Sequence, residues 1–265
     1  MKRTVKLLIG FDGTRYEGWQ DQRKGKTLQE VFEKLLLKIL KEPANLISSS
    51  RTDSGVHALG LVAHFWTLNP LPDIKIKKAL NFHLPRDIVV YSARTVHADF
   101  HARYYAKSKL YRYLIWNQPT RPLFEAPFVL WHPHRLDLGF MRKAARYFLG
   151  KHDFRAFMDG KDEKKSLEMT GHSMAPTDVP RSRGRGFVRS VKSLTIQRGK
   201  GLIRIRIEAN GFLRHMVRVI VGTLIEAGRG KLRPETVPAI LNSKDRKNAG
   251  PTAKPHGLTL IKVRY

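Results

Sequence analysis

The chain has 265 residues, of which 42% are hydrophobic, enough for a sizeable core in one large or two small domains. Fifty Lys and Arg against 22 Asp and Glu leave a net charge of +28, which no fold requires and which suits a polyanionic partner. The absence of cysteine excludes disulfides, a thiol nucleophile, iron–sulfur clusters and Cys-ligated zinc.

The opening MKRTVKLLIGFDGT has the outline of a signal peptide, but Lys6 interrupts its apolar stretch and Asp12 ends it without a small-residue cleavage site. A strand over 4–11, closed by the turn Asp12-Gly13-Thr14, accounts for it better. No run approaches the roughly 18 apolar residues of a membrane span, so a soluble, cytoplasmic protein with no membrane partner is expected. A helix is predicted from Thr27 to about Lys41. Thr27 and Glu30 form its capping box, and Leu28, Val31, Phe32, Leu35 and Ile39 form its apolar stripe. Strands are predicted at 45–50 and 60–67 around the loop 51–57, then a helix at 73–82 and strands at 87–96 and 108–116. A second unit is expected from about 135. Its first helix, 137–149, would turn Phe140, Ala144, Tyr147 and Phe148 inward and stop at Gly150. Strands follow at 187–197 and 201–209, where Ile203, Ile205 and Ile207 alternate with Arg204, Arg206 and Glu208. A long helix at 212–227, a helix from Pro234 to Asn242 and a closing strand at 258–264 complete the chain.

Strands and helices therefore mix in both halves, 1–120 and 135–265, which predicts an α+β architecture, not a doubly wound parallel sheet. Residues 158–186 stand apart, rich in Lys, Ser, Gly and Arg and ending Arg181-Ser182-Arg183-Gly184-Arg185-Gly186. They read as a mobile insertion, either a segment that orders on RNA or a merely solvated one.

Two familiar signals carry little. Gly25-Lys26-Thr27 lies between a strand and a helix, but Gln20 stands where a phosphate-binding loop needs its first glycine. His97 and His101 flank Asp99, and His132 and His134 flank Pro133, yet neither pair has a third ligand at a recognised spacing, so no metal is expected. The loop Arg51-Thr52-Asp53-Ser54-Gly55-Val56-His57 says more. Strands on both sides can hold Asp53 rigidly enough to serve as nucleophile or base, and a turn-capping carboxylate fits the same pattern. Tyr111 and Tyr113 share one face of a cationic strand, suited to base stacking or to a sheet core. Arg214 and Arg218 share a face of the expected helix at 212–227. Arg218 either is buried and needs an acidic partner, or snorkels to solvent.

Six segments, FDGTRYEGWQDQ (11–22), RTDSGVHA (51–58), FHARYYAKSKLYRY (100–113), HDFRAF (152–157), NGFLRHMVRVIVGTL (210–224) and GLTLIKVRY (257–265), occur in the order found in the TruA family of tRNA pseudouridine synthases, which the chain resembles nearly end to end. The resemblance implies two similar RNA-recognition-like α+β halves joined into a mixed, mainly antiparallel sheet, with helices on one side and a central active-site cleft. It implies conversion of uridine to pseudouridine at positions 38, 39 and 40 of the tRNA anticodon arm by a homodimer that needs no cofactor. Asp53 would then be the catalytic nucleophile, Tyr111 would stack on the target base, Arg218 would pair with Asp53, Arg51 would help displace the flipped nucleotide and Leu258 would line the base pocket. Ser50 departs from the family's usual Gly, and Lys254 from its usual uncharged residue. The rival is a non-catalytic RNA-binding protein of the same fold. It would have no need of Asp53, Tyr111 and Arg218 together.

Overall fold

In a computed structural model the described residues are 2–20, 25–158 and 186–265; all but the ends of the expected insertion 158–186 lies outside them. The chain divides into two compact units, Met1–Lys107 with Thr259–Tyr265, and Ser108–Leu258. This departs from the division read in the sequence. The strand at 108–116 belongs to the second unit, and the last seven residues return to the first.

The first unit runs β1 (Arg3–Phe11), α1 (Leu28–Leu40), β2 (Ile47–Ser48), β3 (His57–Thr67), α2 (Asp73–His83) and β4 (Ile88–Val96). Its strands lie in the order β4-β1-β3-β10, where β10 is Leu258–Arg264, and β2 adds to β3. All pairings are antiparallel except β3 with β10. Alternation places Val5, Leu7 and Ile9 of β1 and Leu61, Ala63 and Phe65 of β3 in the core. Thr27 caps α1 as expected, its hydroxyl accepting from the Glu30 amide at 3.4 Å. The buried row of α1 is Leu28, Phe32, Leu36 and Leu40, a strict i, i+4 line, with Val31, Leu35 and Ile39 half-buried on its margin. The strand expected over 45–50 shrinks to two residues, and β3 starts at His57, so the Asp53 loop ends at Val56.

The second unit runs β5 (Ser108–Trp116), β6 (Leu130–Trp131), α3 (Leu138–Arg146), β7 (Gly150–Asp153), β8 (Val188–Gly199), β9 (Leu202–Ala209), α4 (Met216–Gly228) and α5 (Val237–Ser243). Its strands are ordered β5-β9-β8-β7, antiparallel throughout, with β6 parallel to the outer end of β5. Tyr111, Tyr113 and Ile115 of β5 stand in register with Ile207, Ile205 and Ile203 of β9, forming one buried face. The inner face of α3 differs from expectation. Met141, Ala144, Ala145 and Phe148 are buried, Tyr147 is half-buried and Phe140 points outward. The helix ends at Arg146, and Gly150, with φ +93°, opens β7. The helix expected from 212 begins four residues later. His215 takes a left-handed backbone, φ 58°, which separates Phe212–Arg214 from α4. Arg214 and Arg218 therefore do not share a helical face.

Both units mix antiparallel strands with helices, so the class is α+β as expected. No described helix is long and apolar enough to cross a membrane.

Candidate active site

In the first unit, the Asp53 loop is held by a segment distant in sequence. The Val56 amide donates to the Asp53 carbonyl at 3.2 Å, closing the turn locally. Residues 13–19 then clamp it from outside. The Trp19 amide donates to the Thr52 carbonyl at 3.2 Å, and the Gly55 amide and Ser54 hydroxyl both donate to the Tyr16 carbonyl at 3.3 Å. Gly18 takes φ +94°, and a Cβ there would lie 2.5 Å from the Thr52 carbonyl oxygen, so only glycine permits this approach.

The clamp is itself anchored. Trp19 is buried, with ring centres 6.3 Å from Phe11 on β1 and 6.1 Å from Phe32 on α1. The Tyr16 hydroxyl donates to Asp87 at 2.7 Å. Burial, then the acceptor Asp87, push the Tyr16 hydroxyl well above its ordinary pKa, so it stays a donor. His57 Nδ1 lies 3.0 Å from both the Gly13 amide and the Asp12 carboxylate. Burial alone would raise the Asp12 carboxyl; the Thr14 hydroxyl and amide, with His57, outweigh it and hold the group below its usual range. Thr52 is buried, Arg51 is exposed and Asp53 is half-buried, so the backbone around Asp53 is fixed while its side chain retains access. Ser50 is buried, and its carbonyl accepts from the Ser48 hydroxyl at 2.9 Å.

In the second unit, α4 and the chain after it position Arg218. Its Nε donates to the Ala253 carbonyl at 2.7 Å, while the Ala253 amide donates to the Arg218 carbonyl at 3.1 Å. Arg218 is thus half-buried and tied to backbone. The Gly250 amide donates to the buried Thr223 hydroxyl at 2.9 Å. Gly222 lets this segment lie directly on α4, since a Cβ there would stand 1.7 Å from the Pro251 carbonyl oxygen.

Tyr113 is fully buried, and its hydroxyl donates to the Lys254 carbonyl at 2.7 Å. Lys254 thus contributes its backbone here, and its side chain is exposed. Burial pushes the Tyr113 hydroxyl up and the charge of Arg218 opposes that, which places the guanidinium within electrostatic reach of the hydroxyl. Tyr111, two residues back on the same face, is 7% exposed and meets the edge of Phe212 at 5.1 Å. Leu258, just past the segment that bears on Tyr113, is buried. In the second unit Arg218 thus acts on Tyr113, Tyr111 lies two residues back on the same strand face, and Leu258 is buried. The first unit carries Asp53 and Arg51 on one clamped loop. Sequence reading missed Tyr16, Gly18 and Trp19 as the clamp, Tyr113 as an anchor and Ala253 as the Arg218 acceptor; the FDGTRYEGWQDQ segment held the signal for the first three.

Among the described residues no group of three or more His, Asp or Glu is placed to hold a metal. His97 pairs with Asp99 at 3.3 Å on the surface, and His132 Nδ1 lies 2.7 Å from the His134 carbonyl.

The sequence matches the family described as tRNA pseudouridine synthase over residues 8–105 and 144–265. It is 45% identical over 267 residues to the tRNA pseudouridine synthase A of Thermoanaerobacter pseudethanolicus, covering 99% of this chain and 100% of that protein. It is 42% identical over 265 residues to that of Acetivibrio thermocellus and 41% over 263 residues to the tRNA pseudouridine synthase A 2 of Clostridium perfringens, each covering 99% of this chain and 100% of the relative. The chain belongs to the tRNA pseudouridine synthase family, whose members are isomerases.

Proposed function

We propose that this protein isomerises uridine to pseudouridine at positions 38, 39 and 40 of the tRNA anticodon stem-loop, without a cofactor, as a cytoplasmic homodimer. The observation that carries the reading is the clamped Asp53 loop in a chain of this family: backbone bonds at Thr52, Asp53 and Gly55 fix the loop, and Asp53 is half-buried on it.

The reaction breaks the N1–C1′ bond of uridine and makes a C5–C1′ bond. The C5 proton leaves to solvent and N1 gains one, so atoms and electrons balance with no redox partner. Asp53 supplies the nucleophile, attacking the base or the sugar C1′, and is released when the new bond forms. The target base must leave the stem first, at a cost of a few kcal/mol. Arg51, exposed on the same loop, displaces the flipped nucleotide. Tyr111 stacks on the base and takes part in proton transfer. Arg218 keeps the nucleophilic carboxylate ionised. Leu258 lines the base pocket. The net charge of +28 suits a substrate with one phosphate per nucleotide.

The test is to incubate unmodified tRNA with the protein and map pseudouridine by carbodiimide derivatisation and reverse transcription. Stops at 38, 39 or 40 alone are expected; stops elsewhere in the tRNA would overturn the assignment of position.

A further inference from the structure

The sheet of the second unit has a second face, opposite the buried tyrosines. Alternation puts Arg112 of β5 there, directly across from Arg206 of β9, with Arg204 one step along opposite Leu114. Like charges directly opposite on an antiparallel pair are destabilising. Arg112 is half-buried, its Nε is buried with no hydrogen-bond partner among the described residues, and the charged groups acting on it are Arg204 and then Arg206. Arginine cannot relieve this by losing its proton. The neighbours of Arg206 and Arg204 on β8 are neutral Thr195 and Gln197. Glu208, on this face opposite Leu110, accepts from the Ser108 hydroxyl at 2.6 Å. Trp116 and Trp131 stand in register at the far end of the same face, half-buried and exposed respectively.

We propose that Arg112, Arg204 and Arg206 form a binding surface for the sugar–phosphate backbone of RNA, separate from the face that carries Tyr111. A phosphodiester offsets the mutual repulsion of the three guanidinium groups. The neighbouring indoles suit an unpaired base beside that phosphate. A second copy of this chain fits less well on this face, because a two-fold contact here would set the three arginines against their own counterparts. The inference rests on the tRNA-modifying reading above, but not on the roles given to Asp53, Tyr111 or Arg218.

The test compares wild type with Arg204→Gln/Arg206→Gln in filter binding of unmodified tRNA between 50 and 300 mM salt. The double variant is expected to bind about tenfold more weakly at the low-salt end. Its log–log salt slope should be shallower by about 0.7–0.9 for each phosphate that the variant no longer neutralises. Arg204→Lys/Arg206→Lys, which keeps the charge, should retain the slope, separating the effect of charge from that of a disturbed fold. Equal affinity and slope in a glutamine variant that still modifies tRNA would overturn this inference alone. So would a glutamine variant that keeps its affinity but changes mass in sedimentation, since the face would then hold a second copy. A wild type with no affinity for tRNA would overturn the functional reading as well.

Discussion

Gly18 and Thr52 are 34 positions apart, yet their backbones touch: a Cβ on Gly18 would sit 2.5 Å from the Thr52 carbonyl oxygen, next to Asp53. The obstacle is backbone, and φ at Gly18 is +94°, so an L side chain meets both a clash and a strained conformation. Gly18→Ala is expected to destabilise the fold by about 1–3 kcal/mol. It should also lower the single-turnover rate by tenfold or more, because the loop shifts where the nucleophile is seated. Thermal unfolding and single-turnover assays check the two effects separately. An unchanged rate would mean that the clamp has no part in placing Asp53.

Tyr111 and Tyr113 share a face but differ in what their hydroxyls do. Removing the Tyr113 hydroxyl orphans the Lys254 carbonyl, so Tyr113→Phe should cost about 1 kcal/mol of stability. Tyr111→Phe keeps the edge contact with Phe212 and should leave stability nearly unchanged while slowing single turnover strongly. Denaturant unfolding beside single-turnover kinetics distinguishes the two. Equal turnover by Tyr111→Phe and wild type would remove the hydroxyl from proton transfer.

Arg218 is oriented through its Nε on the Ala253 carbonyl. A lysine carries the charge but cannot both hold that carbonyl and present a planar fork. Arg218→Lys should therefore lose at least a hundredfold in single-turnover rate while tRNA affinity falls little. A variant with wild-type turnover would show that charge alone suffices.

Two histidines in the first unit make its stability depend on pH. Burial, then the neighbouring His101, lower the His64 imidazole to about 4; burial, then Arg103, lower His101 to about 4. Both start from 6.5 in the unfolded chain, which therefore binds more protons between about 4 and 6.5. Stability is complete above the unfolded value and declines as pH falls through that window. Tm should drop from pH 7 to pH 4.5, and His64→Gln should flatten the drop. An equal slope in the variant would place the titration elsewhere.

Local patterns carried most of the architecture. The Thr27 cap and the alternating isoleucines of β9 are set by neighbours in sequence, and both form as read. Errors arose where register or distant contacts decide. The spacing puts Phe140 on the inner face of α3 with Ala144, Tyr147 and Phe148, yet the set that packs is Met141, Ala144, Ala145 and Phe148, which leaves Phe140 outside. The left-handed turn at His215 has no sequence marker, so the pattern predicts a start at 212 where α4 begins at Met216. The Arg218 Nε also finds a carbonyl 35 positions later, an acceptor that nothing in the spacing marks. The Asp53 loop was legible as a candidate, but the clamp from 13–19 depends on a long-range approach that composition cannot show.

The most direct measurement is tritium release from tRNA labelled at uridine C5, comparing wild type with Asp53→Asn. The wild type is expected to release tritium and the variant none above background, with tRNA affinity largely retained. Normal release by Asp53→Asn would contradict the assignment of the nucleophile, and no release by either protein would contradict the proposed isomerisation itself.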